Sequence, residues 1–94
     1  MKVRFYAKAG ADLRAAVEYV AERNPRAAEE LAERVFALIA RLADGEFEGP
    51  EEHLRSGKVV RSWPIPPLRV YYQRRDEAFV VLRIYHHARR PIAR

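Results

Sequence analysis

The sequence predicts an α+β domain in which a helix hairpin supports an antiparallel sheet. Three observations carry this. Apolar residues recur at helical spacing over about the first half of the chain. Three strand-like runs follow one another over 59–86: VVRSWPI, LRVYYQ and AFVVLRIYH. They are separated only by Pro66-Pro67 and by the polar turn Arg75-Asp76-Glu77. Branched and aromatic residues dominate the runs, as strands prefer.

At 94 residues, with 49% hydrophobic and 11% aromatic content, the chain suits one globular domain over 1–94. It has no cysteine, which excludes disulfides and thiolate metal sites and fits a reducing, cytoplasmic setting. No apolar run approaches the length of a membrane span, and MKVRFYAKAG lacks the apolar stretch of a signal peptide. The net charge of +5 is unevenly spread. Residues 1–54 hold 8 Lys/Arg against 11 Asp/Glu, a net of −3. Residues 55–94 hold 10 against 2, a net of +8. A basic strand half suggests a polyanion or an acidic partner, or simply a solvated arginine face.

Lys2 to Tyr6 alternates charged and apolar residues and reads as a short strand. From Ala9 to Arg23, Leu13, Ala16, Val17 and Val20 form one helical stripe, and Asp12 suits the positive end of the helix dipole. Asn24 caps a second helix, Pro25 fits its first position, and Asp44-Gly45 stops it near Ala43. Its stripe is Ala28, Leu31, Val35, Leu38, Ile39 and Leu42, with Phe36 at the core edge. So short a joint makes the two helices antiparallel, with the sheet covering their apolar side. Glu46 to Gly57 reads as an acidic, solvated loop. His53 and its neighbouring glutamates match no metal-ligand spacing, and neither a metal nor another cofactor is expected.

Period-2 alternation puts Leu68, Val70 and Tyr72 on one face of their strand, and Val80, Leu82 and Ile84 on one face of the next. Arg69, Tyr71, Arg83 and Tyr85 then share the open face, with Arg61 joining them. Arginine there neutralises phosphate, while tyrosine stacks or donates a hydrogen bond; equally, the rings serve to cover the sheet. At the C-terminal end, His86 is in phase with Ile84 and half-buried. His87 or Tyr85 is the better exposed candidate, and adjacent histidines of a strand cannot share one ion.

Strand, helix hairpin, three antiparallel strands and a basic end together resemble the RelE/ParE family of type II toxin–antitoxin toxins, also described as plasmid stabilisation proteins. The matching residues are Ala9, Asp12-Leu13, Tyr19-Val20, Asn24-Pro25, Ala27-Ala28, Leu42, Val60-Arg61-Ser62-Trp63-Pro64-Ile65, Leu68-Arg69-Val70-Tyr71-Tyr72 and the run from Val81 to Arg89. The resemblance implies a cognate antitoxin that wraps the toxin against the hairpin and sheet, and a homodimer or antitoxin-bridged oligomer as possible assemblies. It implies one of two targets. A ParE-like toxin poisons DNA gyrase by binding, with Arg61, Arg69, Tyr71, Arg83, Arg89 and Arg90 as contacts. A RelE-like toxin cuts mRNA on the ribosome without a metal, with Arg61, Arg69, Arg83, Tyr85 and His87 as catalytic candidates. The RelE-type lysines are missing, Lys58 being the nearest, and the ending His-His-Ala-Arg-Arg-Pro looks like ParE. Binding is therefore the first reading, cleavage the second, and an inactive toxin-like module the third.

Overall fold

The computed structural model describes residues 1–86. The elements are β1 (Lys2–Phe5), α1 (Ala7–Ala21), α2 (Pro25–Ala43), β2 (Glu51–His53), β3 (Val59–Ile65), β4 (Leu68–Arg75) and β5 (Ala78–His86). The α+β class and the hairpin follow the expectation, but the sheet is larger than three antiparallel strands. It has five strands in the order β1-β5-β4-β3-β2. β1 lies parallel to β5, in the register Lys2↔Ala78 to Phe5↔Val81. β2, inside the stretch expected to be a loop, pairs antiparallel with β3 through Glu51↔Arg61 and His53↔Val59. Its three polar residues carry no apolar alternation, so pairing with β3 makes it a strand rather than any pattern of its own.

α2 starts as its sequence dictates: the Asn24 side chain accepts a hydrogen bond from the Ala27 amide at 3.1 Å, with Pro25 in the first turn. Gly45 follows the helix with φ 79°, a left-handed conformation that favours glycine. α1 begins at Ala7, two residues earlier than expected, so Asp12 falls in the second turn, beyond the reach of the helix N-terminus. The β4–β5 hairpin closes through Asp76 (φ 47°) and Glu77 (φ 62°), the two consecutive positive values of a tight two-residue turn.

The core lies between the hairpin and one face of the sheet. Leu13, Leu31, Val35, Ile39 and Leu42 pack against Leu68, Val70, Tyr72, Phe79, Val81 and Ile84. Tyr72 and Phe79 stack at 4.6 Å between centroids. A second apolar cluster, Val60, Tyr71, Ala78, Val80 and Leu82, lies on the other face. This corrects the expected phase of β5. Tyr71 pairs with Arg83 and Tyr72 with Val81, so Leu82 is an extra residue, a bulge. One inserted residue reverses alternation. Val80 and Leu82 therefore face away from the helices, while Ile84 faces them.

Phe36, placed at the core edge by sequence, is 53% exposed. It meets Phe5 at 6.1 Å and lines a shallow apolar groove with Leu13 and Val17. His86 is exposed rather than half-buried, at the end of its strand. Among the described residues, no helix is long and apolar enough to cross a membrane.

Candidate target-binding face of the sheet

The five expected site residues that lie within 1–86 do not form one cluster. Arg61 faces the helix side, because it shares parity with Trp63 and Ile65, which pack toward the main core. Its register partner, Tyr72, faces the same way. There Arg61 donates to the Gly49 carbonyl at 2.7 Å and lies 3.6 Å from Glu48 and 3.5 Å from Glu51. The expectation that Arg61 joins the open face is therefore incorrect.

Arg74, which sequence reading passed over, completes this helix-side network. It donates to Glu48 at 2.9 Å and to the Leu42 carbonyl at 2.6 Å. Glu48 also accepts the Tyr72 hydroxyl hydrogen at 3.0 Å, and that hydroxyl accepts from the Gly49 amide at 2.8 Å. The Arg74 hydrogen bonds hold the Glu48 carboxyl below its ordinary range, reinforced by the Tyr72 hydroxyl and opposed by partial burial. Burial raises the Tyr72 hydroxyl pKa, and its bond to Glu48 adds to this. The result is a clamp that fixes the loop after α2 to the sheet.

On the open face, Arg69 donates to the Ser62 hydroxyl at 3.0 Å, and that hydroxyl donates to Glu52 at 2.9 Å. Ser62 is fully buried, so its hydroxyl is a link and not an exposed nucleophile. Tyr71 does share this face, but it is 2% exposed, and its ring meets Tyr85 edge-on at 5.8 Å. It covers the sheet and offers no platform to a partner.

Arg83 lies over the Tyr85 ring, 4.5 Å from its centroid, and forms a two-pronged pair with Asp12 at 2.8 and 3.1 Å. This pairing raises the Arg83 pKa further. Asp12 also accepts from the Ile84 amide at 2.9 Å. β1 pairs with β5 only as far as Val81, so the rest of that edge is left for α1 to satisfy. Asp12 was legible as more than a dipole residue: it sits three positions after Ala9 and beside Leu13, both buried. A carboxylate at that spacing needs a partner. His87, Arg89 and Arg90 lie outside the described residues.

Among the described residues, no three metal-ligating side chains converge. Lys8, Lys58 and Arg75, without a carboxylate in ion-pair distance among the described residues, line a groove on the open face with Leu54, Val60 and Leu82. They come from three separate parts of the chain, and only the fold brings them together.

Comparison with known proteins agrees with this architecture. The family model described as the ParE toxin of the type II toxin–antitoxin system, parDE, matches residues 3–91. Among solved structures, one described as a chromosomal ParDE TA system from P. aeruginosa superposes with a TM-score of 0.75 at 19% identity, covering 92% of this chain and 95% of that one. No curated protein sequence gives a significant match. With the family model spanning nearly the whole domain, and a fold shared with that system, the chain belongs to the ParE toxin family of type II toxin–antitoxin systems.

Proposed function

We propose that this toxin arrests growth in the cytoplasm by binding a protein target, DNA gyrase, and that a cognate antitoxin neutralises it. The observation that carries this reading is the state of the sheet arginines. A metal-independent ribonuclease must have cations free to stabilise a phosphorane and a group to accept the 2′-hydroxyl proton. Arg61 is engaged with Glu48 and Glu51 on the helix side, and Arg83 with Asp12. Arg69 is joined through buried Ser62 to Glu52. Such arginines build a surface more readily than they stabilise a transition state. For the antitoxin, the support is the apolar groove at Phe36, Phe5 and Val17, which suits the apolar stripe of an amphipathic segment.

The test is pulse-labelling of DNA and protein synthesis after induced expression in a bacterial host, followed by gyrase assays with the purified protein. DNA synthesis failing first, with gyrase inhibited in vitro, supports the reading. Protein synthesis failing within minutes refutes it and returns Arg69, Arg83 and Tyr85 to catalytic candidacy.

A further inference from the structure

The open face of the sheet carries a groove of about 260 Å³ that the family assignment does not explain. Its floor is aliphatic: Val60 and Leu82 are buried, and Leu54 is partly so. Its rim holds Lys8 from the first turn of α1, Lys58 from just before β3 and Arg75 from the end of β4. All three are exposed, and among the described residues none has a carboxylate within ion-pair distance. Arg75 instead meets the Tyr6 hydroxyl, with its guanidinium 5.6 Å from that ring's centroid. Arg83 also lines the groove, but Asp12 already neutralises it, so it contributes wall and not charge. Among the described residues, no carboxylate lines the groove. Three like charges gathered round an apolar floor repel one another until an anion joins them.

We infer that this groove docks an acidic segment of the target protein, an aliphatic side chain flanked by carboxylates, with the side chain on Leu54, Val60 and Leu82 and the carboxylates on Lys8, Lys58 and Arg75. The inference rests on the reading that the toxin works by binding a protein. Charge complementarity selects an acidic occupant. The aliphatic floor selects peptide over single-stranded nucleic acid, which needs exposed rings for its bases to stack on. Tyr71 is covered, the Tyr85 ring already carries Arg83, and the exposed Tyr6 ring at the groove already carries Arg75. The target is favoured over the antitoxin because the groove at Phe36 assigned to the antitoxin lies on the opposite, helix side of the sheet.

The test uses the full chain and a synthetic pentapeptide with one leucine between two pairs of acidic residues, followed by amide NMR shifts. Controls are the same peptide with serine for leucine, and a short oligothymidylate. The expected result is saturable shifts at Lys8, Leu54, Lys58 and Val60. Binding should weaken at least about tenfold in K58E/R75E and with the serine peptide. The same variant, folded as judged by circular dichroism, should no longer arrest growth; K58Q/R75Q, which removes charge without reversing it, should be weakened to a lesser degree. Shifts elsewhere, equal binding of the serine peptide, tighter binding of oligothymidylate, or full arrest by folded K58E/R75E would each overturn the inference. The peptide arm does not depend on the cellular target. If wild-type protein halts protein synthesis instead of DNA synthesis, the functional reading fails while the titration still decides the groove. If K58E/R75E arrests DNA synthesis as wild type does, the groove fails and the functional reading stands.

Discussion

Replacing Asp12 tests whether the α1–β5 joint is electrostatic. Its carboxylate makes three hydrogen bonds, two to Arg83 and one to the Ile84 amide. The side chains of Arg83 and Asp12 are 25% and 12% exposed. Removing one partner of a fully buried pair costs about 3–5 kcal/mol. Water still reaches a quarter of Arg83, which screens part of this, so Asp12→Ala should cost roughly 2–3 kcal/mol. Asp12→Asn keeps an acceptor for Ile84 but loses the charge, and should cost about 1–2 kcal/mol. The assay is urea unfolding, comparing midpoints at unchanged slope. A double-mutant cycle with Arg83→Met isolates the pair, with an expected coupling of about 1–3 kcal/mol. If Asp12→Ala costs less than about 0.5 kcal/mol, or Asp12→Asn matches wild type, the pair holds nothing and the reasoning is wrong.

Further outcomes follow from the loop clamp and the open face. A Cβ at Gly49 would lie 1.9 Å from the Ser62 carbonyl oxygen, a backbone atom that cannot swing aside. Gly49→Ala should therefore cost about 3 kcal/mol or more by urea unfolding, or abolish soluble expression. Gly45→Ala, with no atom within 4 Å but φ 79°, should cost only about 1 kcal/mol. Glu48 has its folded pKa below the ordinary 4.5, so the unfolded chain binds the proton more readily and stability falls as acid is added. The loss begins near 4.5 and continues below it, and at 42% exposure it amounts to about 1 kcal/mol or less. Glu48→Gln should flatten thermal-melt stability across that window, and an unchanged acid slope would contradict the clamp. Arg69→Ala should change stability by less than about 1 kcal/mol, since Ser62 keeps its bond to Glu52, yet weaken growth arrest; undiminished arrest would remove Arg69 from the binding face.

The helix hairpin was legible because each of its signals is local: two apolar stripes, the Asn24-Pro25 start, and Gly45 after the end. The Asp76-Glu77 turn was legible for the same reason. What the sequence did not disclose depends on pairing. β2 is three polar residues whose strand character comes from β3. The bulge at Leu82 carries no glycine or proline to announce it, yet it puts Val80 and Leu82 on the open face while Ile84 stays in the core. Arg61 is a different case. Its parity with Trp63 and Ile65 was visible in the sequence and already pointed to the helix side. Lys8, Lys58 and Arg75 come from three separate parts of the chain, and no local pattern could have joined them.

The charge asymmetry acquires a different meaning once partners are known. The acidic first half and the basic second half meet in the fold. Glu48 and Glu51 take Arg61, Glu48 also takes Arg74, and Asp12 takes Arg83. Three of the ten cations in residues 55–94 are therefore engaged in holding the fold together. The Arg83–Asp12 pair, partly buried and at short range, is weakly screened by salt. Lys58 and Arg75, with Lys8 from the other half, lie exposed, without a carboxylate partner among the described residues, and salt screens such charges over about 8 Å at physiological strength. Folding and recognition should thus separate under salt. Between low and high ionic strength the urea midpoint should move little, while target binding should weaken through a slower association rate. Were both to fall together, the paired and unpaired cations would not be distinct populations, and net charge alone would be the better description of the surface.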